Sequence, residues 1–499
     1  MSNGQPPTTS QLPSYIASAA NNPWEKRAPW FKTTAPTYAG IFLWFVFWQE
    51  AANKGGVGGT LAAGLPAAFL GLIIGALICH FLFYLVPGLL GMKTGLPLYI
   101  VGTSTFGAQG GFIMPGFLMG VLQFGWLGVN AYFSGQGLSQ VIPLPAQVLM
   151  VIWALLAAFI GLKGIQYVAR VATYLPLIPV AILVILLVNT LGTLGNFSTQ
   201  AFSVTHQAVL GEMGEKAEPA LCFGGVLAAM MAYTVGFFAT AGAAGVDFGM
   251  NSRDSKDVHW GGLIGVALAT IVTAGAALLI VAGASGAGTF QPDAVQAAKD
   301  AAAAKQPFSV LRATDLIPII LSKGAYKWIM FLLVVAALPG ACFSSFIAAN
   351  SFKTTLPKVN PFISVGIGAL VSIILAVTAL ANKAQDVFAI VGASFGPICG
   401  AMMVDYLLSS GKWTGPRAGF NPAGWIAWAV GFIVGILPNL HGWKESIPSV
   451  PAAPVAAFIV GAVLYFLCAK VGLMSPVIPW SGAAGPAPAP APAQPPAAK

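Results

Sequence analysis

The sequence predicts an all-α membrane protein of about twelve transmembrane helices. Three observations carry that prediction. Of its 499 residues 57% are hydrophobic and only 7% charged, where a soluble domain has roughly a quarter charged. Mean hydropathy is +0.81. Long runs without Asp, Glu, Lys or Arg recur from one end of the chain to the other. So little charge cannot cover a water-facing surface, so lipid must cover most of it.

The runs count the spans, because a helix needs about 20 apolar residues to cross the hydrocarbon. They fall at 33–49, 55–92, 94–162, 171–211, 219–246, 258–292, 328–352, 359–382, 387–404, 418–443 and 446–469. The 94–162 run is long enough for two helices, turning at "VIPLPAQ" (141–147), so eleven runs give twelve spans. An even number puts both termini on one side. With the N-terminus inside, the inside segments hold 14 of the 23 Lys and Arg and 5 of the 14 acids. That bias matches the positive-inside rule and absorbs the whole formal charge of +9. The expectation is a multi-pass protein of the inner (plasma) membrane with both termini cytoplasmic. The basic balance is topological and gives no ground for a nucleic-acid partner, and nothing points to an obligate protein partner.

The expected organisation follows in order. Residues 1–32 form a polar cytoplasmic tail, 33–190 a first set of five helices, 219–409 a second set, 418–472 two additional helices, and 473–499 a disordered Pro/Ala-rich tail. Two long outside loops are expected at about 191–218 and 285–323, the second with a helix-forming stretch, "DAVQAAKDAAAAK". The sixth span, "AYTVGFFATAGAAGVDF" (232–248), is rich in Gly and Ala, and the first, "TYAGIFLWFVFWQE" (37–50), has a weak point at Gly40. Transporters built from inverted repeats unwind corresponding helices to expose backbone to a ligand. Twelve spans accommodate a five-plus-five inverted repeat with discontinuous first and sixth helices.

Polar groups inside spans need a reason, because unpaired ones are costly in lipid. Gln123 and Trp126 lie three apart on one helix face. They read either as ordinary packing or as a flat ring stacked on the indole with its polar edge bonded by the amide. Ser344 and Ser345 in the eighth span offer adjacent hydroxyls for a small cation, or bond their own i−4 carbonyls. Asn350 lies near the inner end of that span. His80 reads as a packed neutral residue, and Asp247, Asp405 and Glu50 as interfacial. The five Cys show no metal or disulfide spacing. No nucleophile, zinc or phosphate-loop motif is present, which argues against an enzyme; no catalytic residue is assigned.

With these residues in hand, "GMKTGLPLYIVGTSTFGAQGGFIMPGFLMGVLQFGWLGVNAYF" (91–133) resembles the loop and third helix of the nucleobase:cation symporter-1 family, closest to bacterial cytosine permeases. "FFATAGAAGVDF" (237–248) is similar to that family's sixth helix and "SFGPICGAMMVDYLL" (394–408) to its tenth. The resemblance implies the inverted-repeat fold of sodium-coupled amino-acid transporters. It also implies a mid-membrane site where Trp126 and Phe238 sandwich a planar nucleobase or related heterocycle beside Gln123. Gly236 and Phe237 would supply unwound backbone, with Gly40 and Trp44 at the first-helix break. Ala341, Ser344 and Ser345, with Gly40 and Leu43, would hold the coupling ion Na⁺, H⁺ being the alternative. Cytosine permeases carry Asn where this chain has Ala341; Asn350 instead matches an asparagine of the hydantoin-transporting branch. An amino-acid transporter of the same fold is the remaining alternative, and would need partners for both a carboxylate and an ammonium group.

Overall fold

The computed structural model describes residues 12–35, 39–52, 56–163, 175–304, 308–321, 323–356 and 358–480. These are helical throughout, with no strand beyond two isolated bridges. Twelve apolar segments follow in order. α1 joins a 3₁₀ stretch, Ala39–Trp44, to an α-helical one, Phe45–Ala51. α2 is Leu65–Thr94, α3 Phe112–Ser139, α4 Ala146–Lys163 and α5 Leu177–Leu191. α6 is Phe223–Ala243 and α7 Ser255–Ser285. α8 is Lys323–Thr355, α9 Pro361–Val377 and α10 Ala384–Leu408. α11 is Pro422–Trp443 and α12 Ala453–Lys470.

Among the described residues nine of these are long and apolar enough to cross a membrane, and α1, α5 and α9 are shorter. The 17 residues of α9 span about 25 Å at 1.5 Å per residue, a little under the ~30 Å hydrocarbon core. Its sides separate as expected for a lipid-facing helix: Val365, Ala369, Ser372 and Ala376 are buried, while Phe362, Ile363, Ile367 and Leu370 are exposed.

The helices sort into two groups. α3, α4, α8 and α9 all pack on one another, and α2 packs on α6 and α7, with α7 also on α1. Each group draws two helices from each half of the chain. α10 packs on α6, and α11 and α12 close around α10. Close approaches depend on small residues, as membrane helix contacts do. A Cβ on Gly161 of α4 would lie 2.6 Å from the Cys342 carbonyl oxygen and 2.7 Å from Ser345 Cβ of α8.

Both breaks expected in α1 and α6 exist, but the second is displaced. α6 runs as regular helix through Gly236 and Phe237 to Ala243, turns at Ala244 and resumes over Gly245–Gly249. Gly236 serves packing instead: a Cβ there would lie 2.9 Å from the Phe388 carbonyl oxygen of α10. The tail boundaries also change. Within 12–32, Arg27 Nη1 donates to the Met92 carbonyl at 2.6 Å and Ala28 N to the Asn251 carbonyl at 2.9 Å. At the other end residues 473–480 are tied to the body by hydrogen bonds, with Trp480 Nε1 donating to the Ile16 carbonyl at 3.1 Å and Ile478 N to the Pro416 carbonyl at 2.8 Å. An indole that packs part of its ring on the core and donates its N–H to a distant carbonyl ties this segment to the body of the protein. The expected disorder of 481–499 lies outside the described residues.

Candidate functional site

Where the two helix groups meet, α1, α3, α6 and α10 place their aromatic side chains together. Gly236 brings α6 against α10, and Phe237 then meets Phe388 with ring centroids 4.6 Å apart at 75°. On α3, a Cβ at Gly125 would stand 3.3 Å from Val387 Cγ1. That approach sets Trp126 on Phe388, stacked at 5.1 Å and 28°, and edge-on to Phe237 at 4.9 Å. α1 contributes Trp44, 3.7 Å from the Phe237 centroid, and Phe47 and Trp48, 5.6 and 5.9 Å from it. Tyr233, one turn before Phe237, donates its hydroxyl to the Phe47 carbonyl at 2.9 Å.

Trp126 therefore faces the interior, as expected, but its partners are Phe237 and Phe388. Phe238 is 2% exposed and belongs to a separate core cluster that includes Phe83, Phe395 and Phe458. The physical reason is angular: one residue along an α-helix turns the side chain by about 100°. Phe388 was not foreseen from sequence. A ring inserted between parallel faces needs about 7 Å, twice the ~3.5 Å carbon contact distance, so at 5.1 Å Trp126 and Phe388 are closed on one another.

Gln123 lies one turn before Trp126 and is 6% exposed. Its Nε2 meets Met119 Sδ at 3.6 Å, a weak acceptor. A buried amide whose donor reaches only a thioether has hydrogen-bonding capacity left to give. Asn350 is exposed near the end of α8, and Gly40 is exposed with no neighbouring atom within 4 Å of where a Cβ would stand. Both lie on the N-terminal side of the aromatic cluster.

The expected cation ligands come together in part. Ser345 Oγ donates to the Ala341 carbonyl at 3.2 Å, putting two hard oxygens side by side on α8. The 3₁₀ stretch of α1 packs against α8, and Leu43 packs into the aromatic core cluster. Ser345 and Ala341, however, are 1% exposed, Ser345 against Gly161 of α4 and Ala341 in a small cluster with Leu127 and Ala157. Ser344 is half-buried on the adjoining side. The donor chemistry, hydroxyl and carbonyl oxygen, suits a small hard cation; no cluster of three or more His, Cys, Asp or Glu occurs among the described residues.

The motif residues have structural work. In "KTGL", Lys93 Nζ donates to Tyr406 Oη at 2.8 Å and the Gly411 carbonyl at 2.6 Å. Thr94 Oγ1 donates to the Leu90 carbonyl at 2.7 Å, and Gly95 caps α2 in the left-handed region at φ 67°. Asp247 accepts from Leu98 N at 3.0 Å. Asp405 accepts from Ser104 Oγ at 2.7 Å, Tyr465 Oη at 2.8 Å and Arg417 Nη2 at 3.3 Å. Both acids thus hold structural hydrogen bonds between segments. Glu50 lies at the end of α1 among residues whose side chains are not described.

Comparison with known proteins agrees with this architecture. The chain aligns over 92% of its length with a closed, bromovinylhydantoin-bound structure of MHP1, a nucleobase-cation-symport-1 family transporter, covering 97% of it at TM-score 0.58 and 14% identity. The inward-facing conformation of Mhp1 matches at TM-score 0.59 and 15% identity, with 92% and 96% coverage. A Na⁺-coupled sialic acid symporter matches at TM-score 0.55 and 14% identity, covering 94% of each chain. At such identities these structures show the fold, a five-plus-five inverted repeat. No individually curated protein sequence matches. The sequence profile described as permease for cytosine/purines, uracil, thiamine, allantoin covers residues 29–467. The chain therefore belongs to this permease family, the nucleobase-cation-symport-1 transporters, and is a multi-pass membrane transporter, not an enzyme.

Proposed function

We propose that the protein imports a planar nucleobase or related heterocycle by symport with Na⁺, alternating access across the Trp126 cluster. The observation that carries the reading is the ring cluster of Trp126, Phe237 and Phe388 beside the buried Gln123 amide. Aromatic faces grip any flat ring, with each stacking contact worth roughly 1–3 kcal/mol by analogy with base–aromatic contacts. Selection falls first to Gln123, because a ring lacking the matching edge leaves its buried amide unpaired, with Asn350 reading the edge from the exposed end of α8. For the ring to enter, Trp126 and Phe388 must part. The stack of Trp126 on Phe388 supports a closed far side, reached at the C-terminal end of α1, and the exposure of Gly40 an accessible N-terminal side, taken as cytoplasmic.

Na⁺ would bind through the Ala341 carbonyl and the Ser344 and Ser345 oxygens of α8 together with the backbone of Gly40 and Leu43, which requires α8 and the 3₁₀ stretch of α1, packed together here, to turn these oxygens toward one point. Coupling requires that ion and ligand each favour one conformation over another. A proton is the second reading, and His80 favours it: its ring is fully buried, neither nitrogen has a hydrogen-bond partner, and the His259 ring lies 5.2 Å away. Proteoliposome uptake of cytosine, uracil, adenine, hypoxanthine, hydantoin and allantoin, driven by a Na⁺ or a pH gradient, tests both. Accumulation of one heterocycle under the Na⁺ gradient alone is the expected result. Accumulation under the pH gradient alone selects the proton, and uptake of amino acids but no heterocycle overturns the reading.

A further inference from the structure

On the side of the molecule reached at the C-terminal end of α1, beyond the ring cluster, is a cavity of about 350 Å³. It is walled by four connections that all lie on that side: the one after α1, the helix Thr199–Glu212 between α5 and α6, the one before α8 and the one before α10. Its volume falls at the lower end of small-ligand sites. Two polar atoms in its wall have no hydrogen bond. Arg312 is 6% exposed, and its Nε comes no nearer to an acceptor than Asp315 Oδ2 at 3.7 Å, a carboxylate that already accepts from Ser309 N and Thr314 Oγ1. The other atom is Asn382 Oδ1. One is a donor and one an acceptor, and a side-chain rotation brings each into the cavity that both residues line. A buried group left unpaired is destabilising, and a ligand that pairs it relieves that cost. The remaining charges in the wall, Lys216 and Lys383 against Glu215 and Glu218, offset one another and favour a neutral ligand over an ion.

We propose that this vestibule is a second binding site, taking a neutral cyclic amide or imide whose carbonyl accepts from Arg312 and whose N–H donates to Asn382. The inference rests on the protein being a heterocycle transporter. The site lies on the route to the centre: Asn382 and Lys383 lead into α10, and Phe388 follows four residues after its start at Ala384, about 6 Å along the axis. Substrate held here waits directly over the ring that must move to admit it.

The test is the stoichiometry of uracil and hydantoin binding to the full-length protein in nanodiscs. Two sites are expected. Asn382→Leu and Arg312→Gln each weaken one of them at least tenfold, while Trp126→Ala weakens only the other. Thermal unfolding checks that each variant is folded, and Asn382→Leu, a near-isosteric change in a connection, decides the matter should Arg312→Gln unfold. A single site lost only in Trp126→Ala, or a second site indifferent to Asn382→Leu, overturns the vestibule proposal and leaves the transporter reading intact. Absence of binding by every ring tested overturns both.

Discussion

The two ends of α10 are held in opposite ways. Near its start, Phe388 touches Trp126, Phe237, Phe47 and Tyr233 through ring contacts. Near its finish, Asp405 is fixed by Ser104, Tyr465 and the buried Arg417, and Arg417 Nε donates in turn to the Ser104 carbonyl at 2.8 Å. Ring contacts have preferred edge-on and offset-stacked geometries but are worth only about 0.5–1.5 kcal/mol each beyond the area they bury, and a heterocycle that replaces one protein ring face with its own restores much of that. A buried ion pair tolerates no such exchange, because separating the partners leaves charge uncompensated in a medium of low dielectric. The comparison assigns motion to one end of the helix and anchorage to the other.

The largest effect should come from breaking the anchored end. Arg417→Ala leaves the Asp405 carboxylate buried and unpaired, a loss of about 3–5 kcal/mol, and the thermal unfolding midpoint in detergent should collapse; Asp405→Asn should be milder. Phe238→Ala comes next. As a core ring outside the cluster it should cost about 3–5 kcal/mol of stability while leaving ligand affinity, measured on the folded fraction, unchanged. Affinity lost with no change in unfolding would return Phe238 to the site. Gly236→Ala sits between the two regimes: its methyl would press on the Phe388 backbone, costing about 1–3 kcal/mol, and tryptophan fluorescence should report a displaced cluster. Ser345→Ala is the smallest, removing one intrahelical hydrogen bond worth about 1 kcal/mol. A clear loss of Na⁺ dependence at unchanged stability would mark the hydroxyl as an ion ligand; unaltered dependence in the Ser344→Ala, Ser345→Ala double variant removes the ion from this position.

Much of the fold was legible because charge is so scarce that its spacing marks the ends of spans, and all twelve expected segments are present. Gln123 and Trp126 were legible for a related reason: an amide in an apolar helix needs an explanation. Phe388 gave no such signal, since one of 32 Phe in a hydrophobic chain looks like any other. Phe238 was assigned by resemblance to the family, with Phe237 beside it as backbone; a position carried over from distant relatives does not fix which of two adjacent rings a regular helix turns toward Trp126. Gly236 was misread because glycine marks both unwinding and close approach, and only the position of α10 distinguishes them. The helix Thr199–Glu212 did carry a readable start, Ser198, whose hydroxyl accepts from Ala201 N at 3.3 Å. Its place in the vestibule wall depends on tertiary packing.

The measurement closest to the central claim is equilibrium binding of the transported heterocycle to Trp126→Ala beside the parent protein. Loss of one stacking face worth roughly 1–3 kcal/mol should weaken the central site by about 5- to 150-fold with the unfolding midpoint nearly unchanged. An affinity equal to that of the parent would contradict the account, because the flat guest would then be held by something other than these rings.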